Sequence, residues 1–443
     1  MGVLYNSFER DLLDAPKCHP QTRIAVINRL IDWLTGKFDD EALIMWLYGA
    51  AGAGKSPIAH TLAEICDEDG WLLATFFFWK TDPERNNMSR FVATITHQVA
   101  IAIPAIREFI EVAIDYNRGV FDLSIDTQLS KLVLEPLQRL HSTGFNFQNC
   151  PFVIIIDGLD ECQGNNMQSK IVKSLSAAFH SSPLRIRILV ASRPEVYLQS
   201  TFNSVSVENR LARLALSDEY FPEQDIYRFL NDSFDKIKRE HPLASCIPSS
   251  WPSTDILHEL TLKSSGQFIF ASTTVKYIGG DPHQLPHRRL DMVRCLQSPK
   301  REKDMPYAEL NSLYRHVLAD IDDLEAVKKI LGVLLIVNPL IGSYDSIRSA
   351  EKMDEFLCWQ RGETKACLSQ LASIIECDTY GYISVLHASL RTSCLIPLDL
   401  VSSTYVDSPF WAIAQLLDCT ICTRMSLKDM VCRLLLGGIF FEC

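Results

Sequence analysis

A glycine-rich octapeptide, Gly-Ala-Ala-Gly-Ala-Gly-Lys-Ser, has the residue types and spacing of a phosphate-binding loop (P-loop). Small residues let backbone N–H groups close around phosphate oxygens, the lysine ammonium reaches the outer phosphates, and the serine oxygen can bind Mg²⁺. The sequence therefore predicts binding of ATP or ADP with Mg²⁺. The residues assigned to the nucleotide are Gly49, Ala50, Ala51, Gly52, Ala53, Gly54, Lys55, Ser56 and Pro57, and Ser56 is also assigned to the metal.

The neighbours of this loop favour the same interpretation. Residues 43–48 form an apolar run typical of a buried strand, and residues 58–66 have the pattern of a helix. The alternative is a glycine-rich surface turn with a solvated lysine, which would need no such flanks.

Pro57 departs from the usual P-loop chemistry. The N–H of the residue after the serine normally adds to the phosphate grip, and proline has no N–H. The loss of a charge-assisted hydrogen bond costs about 1.5–3 kcal/mol, so we expect binding to survive but to be weakened tenfold or more.

A second cluster of polar residues follows the apolar run 152–156, which has the character of a buried strand. Asp157 at the end of that strand is predicted to hold Mg²⁺ beside the phosphates. Asp160 and Glu161, just beyond it, are predicted to orient or deprotonate an attacking water. The alternative is a solvated acidic turn with no catalytic role.

A third strand, residues 188–191, ends in Ser192 and Arg193. A fixed guanidinium at the same sheet edge could stabilise the charge of a γ-phosphate, so Arg193 is a candidate catalytic residue. A strand-end arginine paired to a surface carboxylate is the alternative.

The elements around these motifs alternate between short apolar runs and helical patterns from about residue 40 to 216, which favours a three-layer α/β core with a mainly parallel sheet. Beyond it the apolar period is close to 3.6 residues, and residues 374–387 suggest a hairpin, as in a winged helix. The predicted divisions are a linker and leading helix at 1–39, the P-loop NTPase core at 40–216, a helical domain at 217–300, a winged-helix-like α+β domain at 301–396, and a tail at 397–443.

Composition limits the classes of function. The 443 residues are 47% hydrophobic and 22% charged, which disfavours a disordered chain. The net charge of −11 opposes non-specific attraction to nucleic acid or anionic lipid. From this charge, and because no segment resembles a signal peptide or a membrane span, we expect a cytoplasmic protein that binds neither membrane nor nucleic acid.

Taken together, these motifs resemble a NACHT-domain protein of the signal-transduction (STAND) class of P-loop ATPases, and most closely the fungal branch of NOD-like receptors. The resemblance is carried by the P-loop, by Asp157-Gly-Leu-Asp-Glu161 and by Ser192-Arg-Pro194. Segments 18–23, 266–271 and 310–314 are also similar to that branch.

This resemblance implies a nucleotide-operated switch that closes over ADP, reopens with ATP and forms homo-oligomers, with effector or sensor proteins as partners in signal transduction or innate immunity. Family winged helices carry a histidine that reaches the nucleotide. The segment Leu386-His-Ala-Ser-Leu390 resembles that site, which makes His387 the candidate. The chain departs from the family after this point, at residues 391–394.

Two functions remain open at this stage. The first is a slow regulatory ATPase, and the second is a nucleotide-binding scaffold with negligible hydrolysis that acts through a partner. A metabolic kinase is disfavoured because no acceptor pocket is evident beyond the core. The choice of adenine over guanine rests only on the absence of an Asn-Lys-x-Asp element.

Overall fold

The computed structural model of the protein describes residues 17–385, apart from gaps at 81, 83–84, 148–149, 181–183, 207–210, 217–219, 221, 297–307, 320, 322, 335–346, 348, 370 and 378–380. The described chain divides into two compact units. The first contains the residues up to Phe229 together with Ser265–Phe268, and the second contains Leu230–Ser264 and the residues from Ile269 onward.

A five-stranded parallel sheet forms the centre of the first unit, with strand order β2-β3-β4-β1-β5. Its strands are β1 Ile44–Tyr48, β2 Leu72–Phe77, β3 Val153–Asp157, β4 Arg187–Ser192 and β5 Leu211–Ala215. All but the edge strand β5 are apolar along nearly their whole length, as expected when helices cover both faces.

Helices cover the sheet on both sides, and alternate residues of each central strand therefore pack into two different cores. Ile44 and Trp46 of β1 belong to one core, and Met45 and Leu47 belong to the other. The second core includes helices α1 Ile24–Leu34 and α2 Lys55–Glu68. The first core includes residues from α3 Phe91–Ala102, α4 Arg107–Tyr116, α5 Ile125–Leu129, α6 Glu135–Ser142, α7 Asn165–His180 and α8 Val196–Ser206.

The carboxyl ends of the central strands lie side by side at one end of the sheet, which is called the sheet edge below. Tyr48 at the end of β1 pairs with Ser192 at the end of β4, and Phe77 at the end of β2 pairs with Asp157 at the end of β3. Since all the strands are parallel, the segments that follow them lie at this same edge.

The second unit is helical and ends in a two-stranded antiparallel hairpin. Helix α9, Pro222–Glu240, begins in the first unit and ends in the second. The remaining elements are α10 Thr254–Ser264, α11 Phe268–Gly279, α12 Pro286–Cys295, α13 Ala308–Ala319, α14 Leu324–Gly332, α15 Ala350–Leu357, α16 Glu363–Ser369, β6 Ile375–Cys377 and β7 Ile383–Val385.

The predicted fold class is confirmed: a three-layer parallel α/β core is followed by helices and a hairpin. The sequence interpretation missed β5, α4 and α8. Within the described ranges, none of the helices combines the length and the apolar character needed to cross a bilayer. The predicted tail 397–443 lies outside the described residues.

Candidate functional site

The P-loop, residues 49–56, connects the end of β1 to the start of α2. Gly52 and Gly54 have φ angles of 74° and 92°, in the left-handed region that glycine adopts without steric cost. Gly54 is the N-cap residue of α2, so the loop leads directly into a helix N-terminus, where the first backbone N–H groups have no partner within the helix. This is the geometry that binds phosphate.

Lys55 is the first residue of α2, and its ammonium folds back over the loop. The Nζ atom donates to the carbonyl oxygens of Gly49 and Ala50, both at 2.9 Å. Burial lowers the pKa of Lys55, while the charges of Asp160 and Asp157 oppose that shift. The ammonium therefore stands within the field of the carboxylates that the sequence assigned to the same site.

Pro57 lies inside the first turn of α2. The intrahelical ladder begins one residue later, where the Ile58 N–H donates to the Gly54 carbonyl at 3.1 Å. The missing N–H of Pro57 therefore costs the helix no hydrogen bond. What is lost is one donor at the end of the helix that faces the P-loop.

Asp157 is the last residue of β3 and is buried, with 4% of its surface exposed. Gly158 follows it with a φ of 69°. A Cβ atom at this position would lie 3.0 Å from the backbone oxygen of Phe78, so both the conformation and the close approach require glycine here. The glycine turns the chain into the acid turn, defined as residues 158–162.

Glu161 lies in the acid turn, within a single 3₁₀ turn at Leu159–Glu161. Its Oε2 atom accepts a hydrogen bond from the backbone N–H of Lys80 at 2.9 Å. Burial raises the pKa of Glu161 to about 7, the nearby charge of Asp160 adds to the rise, and the Lys80 N–H opposes it. A carboxylate with such a pKa can accept a proton near neutral pH.

Asp160 and Arg193 form an ion pair across the site. Asp160 Oδ1 accepts the backbone N–H of Arg193 at 2.9 Å, and its Oδ2 lies 3.2 Å from Arg193 Nε. The Asp160 side chain is 8% exposed and that of Arg193 is 32% exposed. The pairing of arginine with carboxylate, which was the alternative for Arg193, is thus present in the structure. The catalytic assignments of both residues stay predictions.

Two further groups that the sequence motifs did not identify contact the site. Arg23, directly before α1, is buried, and its Nη2 donates to the carbonyl of Ala53 in the P-loop at 2.9 Å. Asp225 holds Arg23 in place by accepting its backbone N–H at 2.9 Å. Segment 18–23 had been noted only through the family resemblance, and its contact with the loop could not be read from spacing. Lys80 contributes only a backbone N–H, which leaves no sequence signal.

The donor set fits Mg²⁺ and a nucleotide. Magnesium prefers oxygen ligands and uses one or two carboxylates together with substrate phosphates. Asp157, at the end of β3, supplies one carboxylate, and Ser56, at the start of α2, supplies one hydroxyl. Over the part of the chain that the structure describes, no group of three or more His, Cys, Asp or Glu side chains could hold a metal by itself.

The structure brings Lys55, Asp157, Asp160, Glu161 and Arg193 to one end of the sheet, since they end or follow the parallel strands β1, β3 and β4. His387 lies outside the described residues, so its assignment stays a prediction.

Comparison with known proteins gives one family match. Residues 27–193 match the family described as Nephrocystin 3, N-terminal. The matched range begins within α1 and ends at Arg193, and it includes the P-loop and the acid turn. No curated protein matches the sequence.

Several solved structures align with the chain at low identity. Cdc6p from Pyrobaculum aerophilum aligns over 92% of this chain and 98% of that chain, with 13% identity and a TM-score of 0.39. The Aeropyrum pernix ORC1 protein in complex with DNA covers 86% of this chain and 94% of its own, with 14% identity and a TM-score of 0.33. The structure of Drosophila ORC bound to poly(dA/dT) DNA and Cdc6 aligns over 97% of this chain and 69% of that chain, with 12% identity and a TM-score of 0.31.

The P-loop between β1 and α2, the acidic end of β3 and the parallel strand order are together the features of one fold. The core of this chain has the three-layer fold of the P-loop NTPases.

Proposed function

We propose that the protein is a nucleotide-operated signalling switch that binds ATP with Mg²⁺ and slowly hydrolyses it to ADP. The observation that carries the proposal is the position of Lys55. Its ammonium lies on the P-loop carbonyls and within the field of the site's acidic groups. An ammonium in this position would bind the negatively charged phosphates of a nucleoside triphosphate.

The residues of the site have distinct parts in this proposal, and Asp160 would help to orient the attacking water. The loop N–H groups and Lys55 would bind the phosphates, and Ser56 with Asp157 would hold Mg²⁺, which neutralises phosphate charge when bound. Glu161 would accept a proton from the attacking water, because its pKa of about 7 makes it a better base than an ordinary carboxylate. Arg193 would stabilise the charge on the γ-phosphate.

The finer parts of the proposal rest on the NACHT resemblance. They are oligomerisation with ATP, closure over ADP, a nucleotide contact from His387, and effector or sensor partners in a pathway of the fungal NOD-like receptor type. The preference for adenine, a cytoplasmic location and the absence of nucleic-acid binding likewise stay predictions.

A scaffold that binds nucleotide without turnover is the second candidate, and specific contacts favour it. Asp160 is paired with Arg193, and the Glu161 carboxylate accepts the Lys80 N–H. Arg193 engages both Asp160 oxygens, and the Lys80 N–H engages the Oε2 atom of Glu161, so each acid already serves a structural contact. Pro57 also removes one phosphate donor.

Measurement of phosphate release separates the two candidates. With saturating Mg-ATP, we expect slow release by the wild type and a decrease of at least about 100-fold in Glu161→Gln, since general bases contribute about 10²–10⁴ in rate. The control is Glu64→Gln, which makes the same chemical change in a carboxylate of α2 that pairs with Lys17. ATP binding without phosphate release would favour the scaffold, and absence of ATP binding would contradict both functions.

A further inference from the structure

A buried glutamine on α7 ties the acid turn to the chain that follows β4. Gln168 is 2% exposed. Its Nε2 donates to the carbonyl oxygens of Asp160 at 3.2 Å and of Cys162 at 2.5 Å. Both N–H groups of the amide are therefore used on the two sides of Glu161, which leaves none for a ligand.

Tyr197 completes this connection from the first turn of α8. Its hydroxyl donates to Gln168 Oε1 at 2.5 Å. Burial raises the pKa of the Tyr197 phenol, so the hydroxyl keeps the proton that it donates. Tyr197 follows Arg193 by only four residues, so this bond fixes the chain close to the Arg193 guanidinium.

The hydrogen bonds of Gln168 and Tyr197, together with the ion pair between Asp160 and Arg193, form a closed ring of contacts. On one side, the Asp160 side chain binds the backbone N–H and the Nε of Arg193. On the other side, the Asp160 carbonyl binds Gln168, and Gln168 binds Tyr197. The acid turn and the Arg193 strand end are thus joined twice, through a carboxylate and through an amide.

We infer that Gln168 and Tyr197 are positioning residues, which set where the Glu161 carboxylate and the Arg193 guanidinium stand relative to each other. This inference rests on the proposed hydrolysis, in which Glu161 acts on the attacking water and Arg193 acts on the γ-phosphate. Neither positioning residue touches the nucleotide in this account. Their loss should impair turnover and leave the grip of the P-loop on the phosphates intact.

The size of the effect follows from geometry. A displacement of about 1 Å at a reacting group can cost about 100-fold in rate. Removal of the Gln168 amide also leaves two carbonyls of the acid turn without their donor, which favours movement of that turn.

The test uses Tyr197→Phe and Gln168→Met, because both replacements keep the approximate size of the side chain and remove the hydrogen bonds. The matched control is Ser169→Ala. Ser169 is adjacent to Gln168 and bonds Thr201 Oγ1 at 2.8 Å, so the control breaks a side-chain bond between the same two helices without touching the acid turn.

We expect kcat for phosphate release to fall about 10- to 100-fold in both test variants, with the Kd for Mg-ATP within about twofold of wild type. The control should match wild type in both quantities. Unchanged kcat in the test variants, a Kd that rises in parallel with the loss of kcat, or an equal loss in the control would overturn the inference.

Hydrogen exchange in the absence of nucleotide tests the structural part of the inference, the fixing of the acid turn and of the Arg193 strand end, without any hydrolysis. The Arg193 N–H bonds the Asp160 carboxylate, and the Cys162 N–H bonds the Leu159 carbonyl within the acid turn. Both amides should exchange at least about tenfold faster in the two test variants and at the wild-type rate in Ser169→Ala. Unchanged exchange would overturn the positioning role, whereas a wild type that hydrolyses nothing would overturn only the proposed function.

Discussion

At the scale of single residues, the position of Pro57 in the first turn of α2 predicts that its replacement strengthens nucleotide binding. Pro57→Ala restores a donor in the first turn of α2 without removing any intrahelical bond. We expect the Kd for Mg-ATP to decrease about tenfold or more, as measured by isothermal titration calorimetry. Pro104→Ala, at the first residue of the 3₁₀ turn Pro104–Ile106, serves as the control. Equal Kd values for Pro57→Ala and wild type would contradict the assigned role.

Glu161 gives a prediction about pH and stability. Its pKa is raised from 4.5 to about 7, so between these values the folded state holds a proton that the unfolded chain releases. The stability that this proton contributes is present below pH 4.5 and is lost as the pH rises through about 7. Glu161→Gln has no such group to ionise.

The free energy of unfolding of Glu161→Gln, relative to wild type, should therefore rise by up to about 3 kcal/mol between pH 5 and pH 8. Urea denaturation of both proteins without nucleotide measures this difference. An equal difference in the free energy of unfolding at both pH values would show that burial does not raise the pKa of this carboxyl group.

Most of the site's residues were predictable because each motif is local. A P-loop and an acidic strand end carry their chemistry within a few positions of one another. The pairing of Asp160 with Arg193 was open, because it depends on β3 and β4 being neighbours in the sheet. The contact between Arg23 and Ala53 spans 30 positions of sequence, and no spacing rule predicts it.

At the scale of elements, the turn from β3 into the acid turn depends on Gly158. Gly70 provides a matched control because its φ of 71° nearly equals the 69° of Gly158, while no atom lies within 4 Å of its Cβ position. Alanine at either site costs about 1–3 kcal/mol of backbone strain. Gly158→Ala should cost about 1–3 kcal/mol more, because its Cβ meets the Phe78 carbonyl.

Urea denaturation of the two glycine variants measures this difference. Equal destabilisation of Gly70→Ala and Gly158→Ala would mean that the close approach to Phe78 carries no cost. The result bears on function, because the same turn sets the position of Asp157 and the acids beyond it.

The central strands were predictable from their continuous apolar runs, which only a sheet covered on both faces requires. β5 was missed because its residues alternate: Leu211, Arg213 and Ala215 are more exposed than Ala212 and Leu214. α4 was missed although Phe109, Ile110 and Ile114 recur at helical spacing; Ile110 is buried, and Phe109 and Ile114 pack partly buried against the first core. Tertiary packing, which single-sequence patterns do not contain, decided the case of β5.

At the scale of the whole molecule, the switch predicts a nucleotide-dependent size. We expect Mg-ATP, but not Mg-ADP, to increase the molar mass measured by light scattering after size exclusion, and Lys55→Ala to abolish the increase. Lys37→Ala is the control of equal charge, since Lys37 precedes β1 and its side chain is 70% exposed. An unchanged mass in wild type with ATP would contradict the switch.

The order of core, helices and hairpin was predictable because the hydrophobic period changes along the chain from strand-rich to helical. The domain boundaries themselves stay predictions. Periodicity marks a change of element type, whereas the two compact units are divided within helix α9, at Phe229 and Leu230.

The most direct measurement is calorimetric titration of Mg-ATP into the wild type and into Lys55→Ala, with thermal unfolding as the check that both proteins are folded. The account predicts a saturable heat with one nucleotide per chain for the wild type, and no detectable heat for Lys55→Ala. A folded wild type that gives no heat with Mg-ATP, Mg-ADP or Mg-GTP, or a Lys55→Ala that binds as tightly as wild type, would contradict the claim that this sheet edge binds a nucleotide.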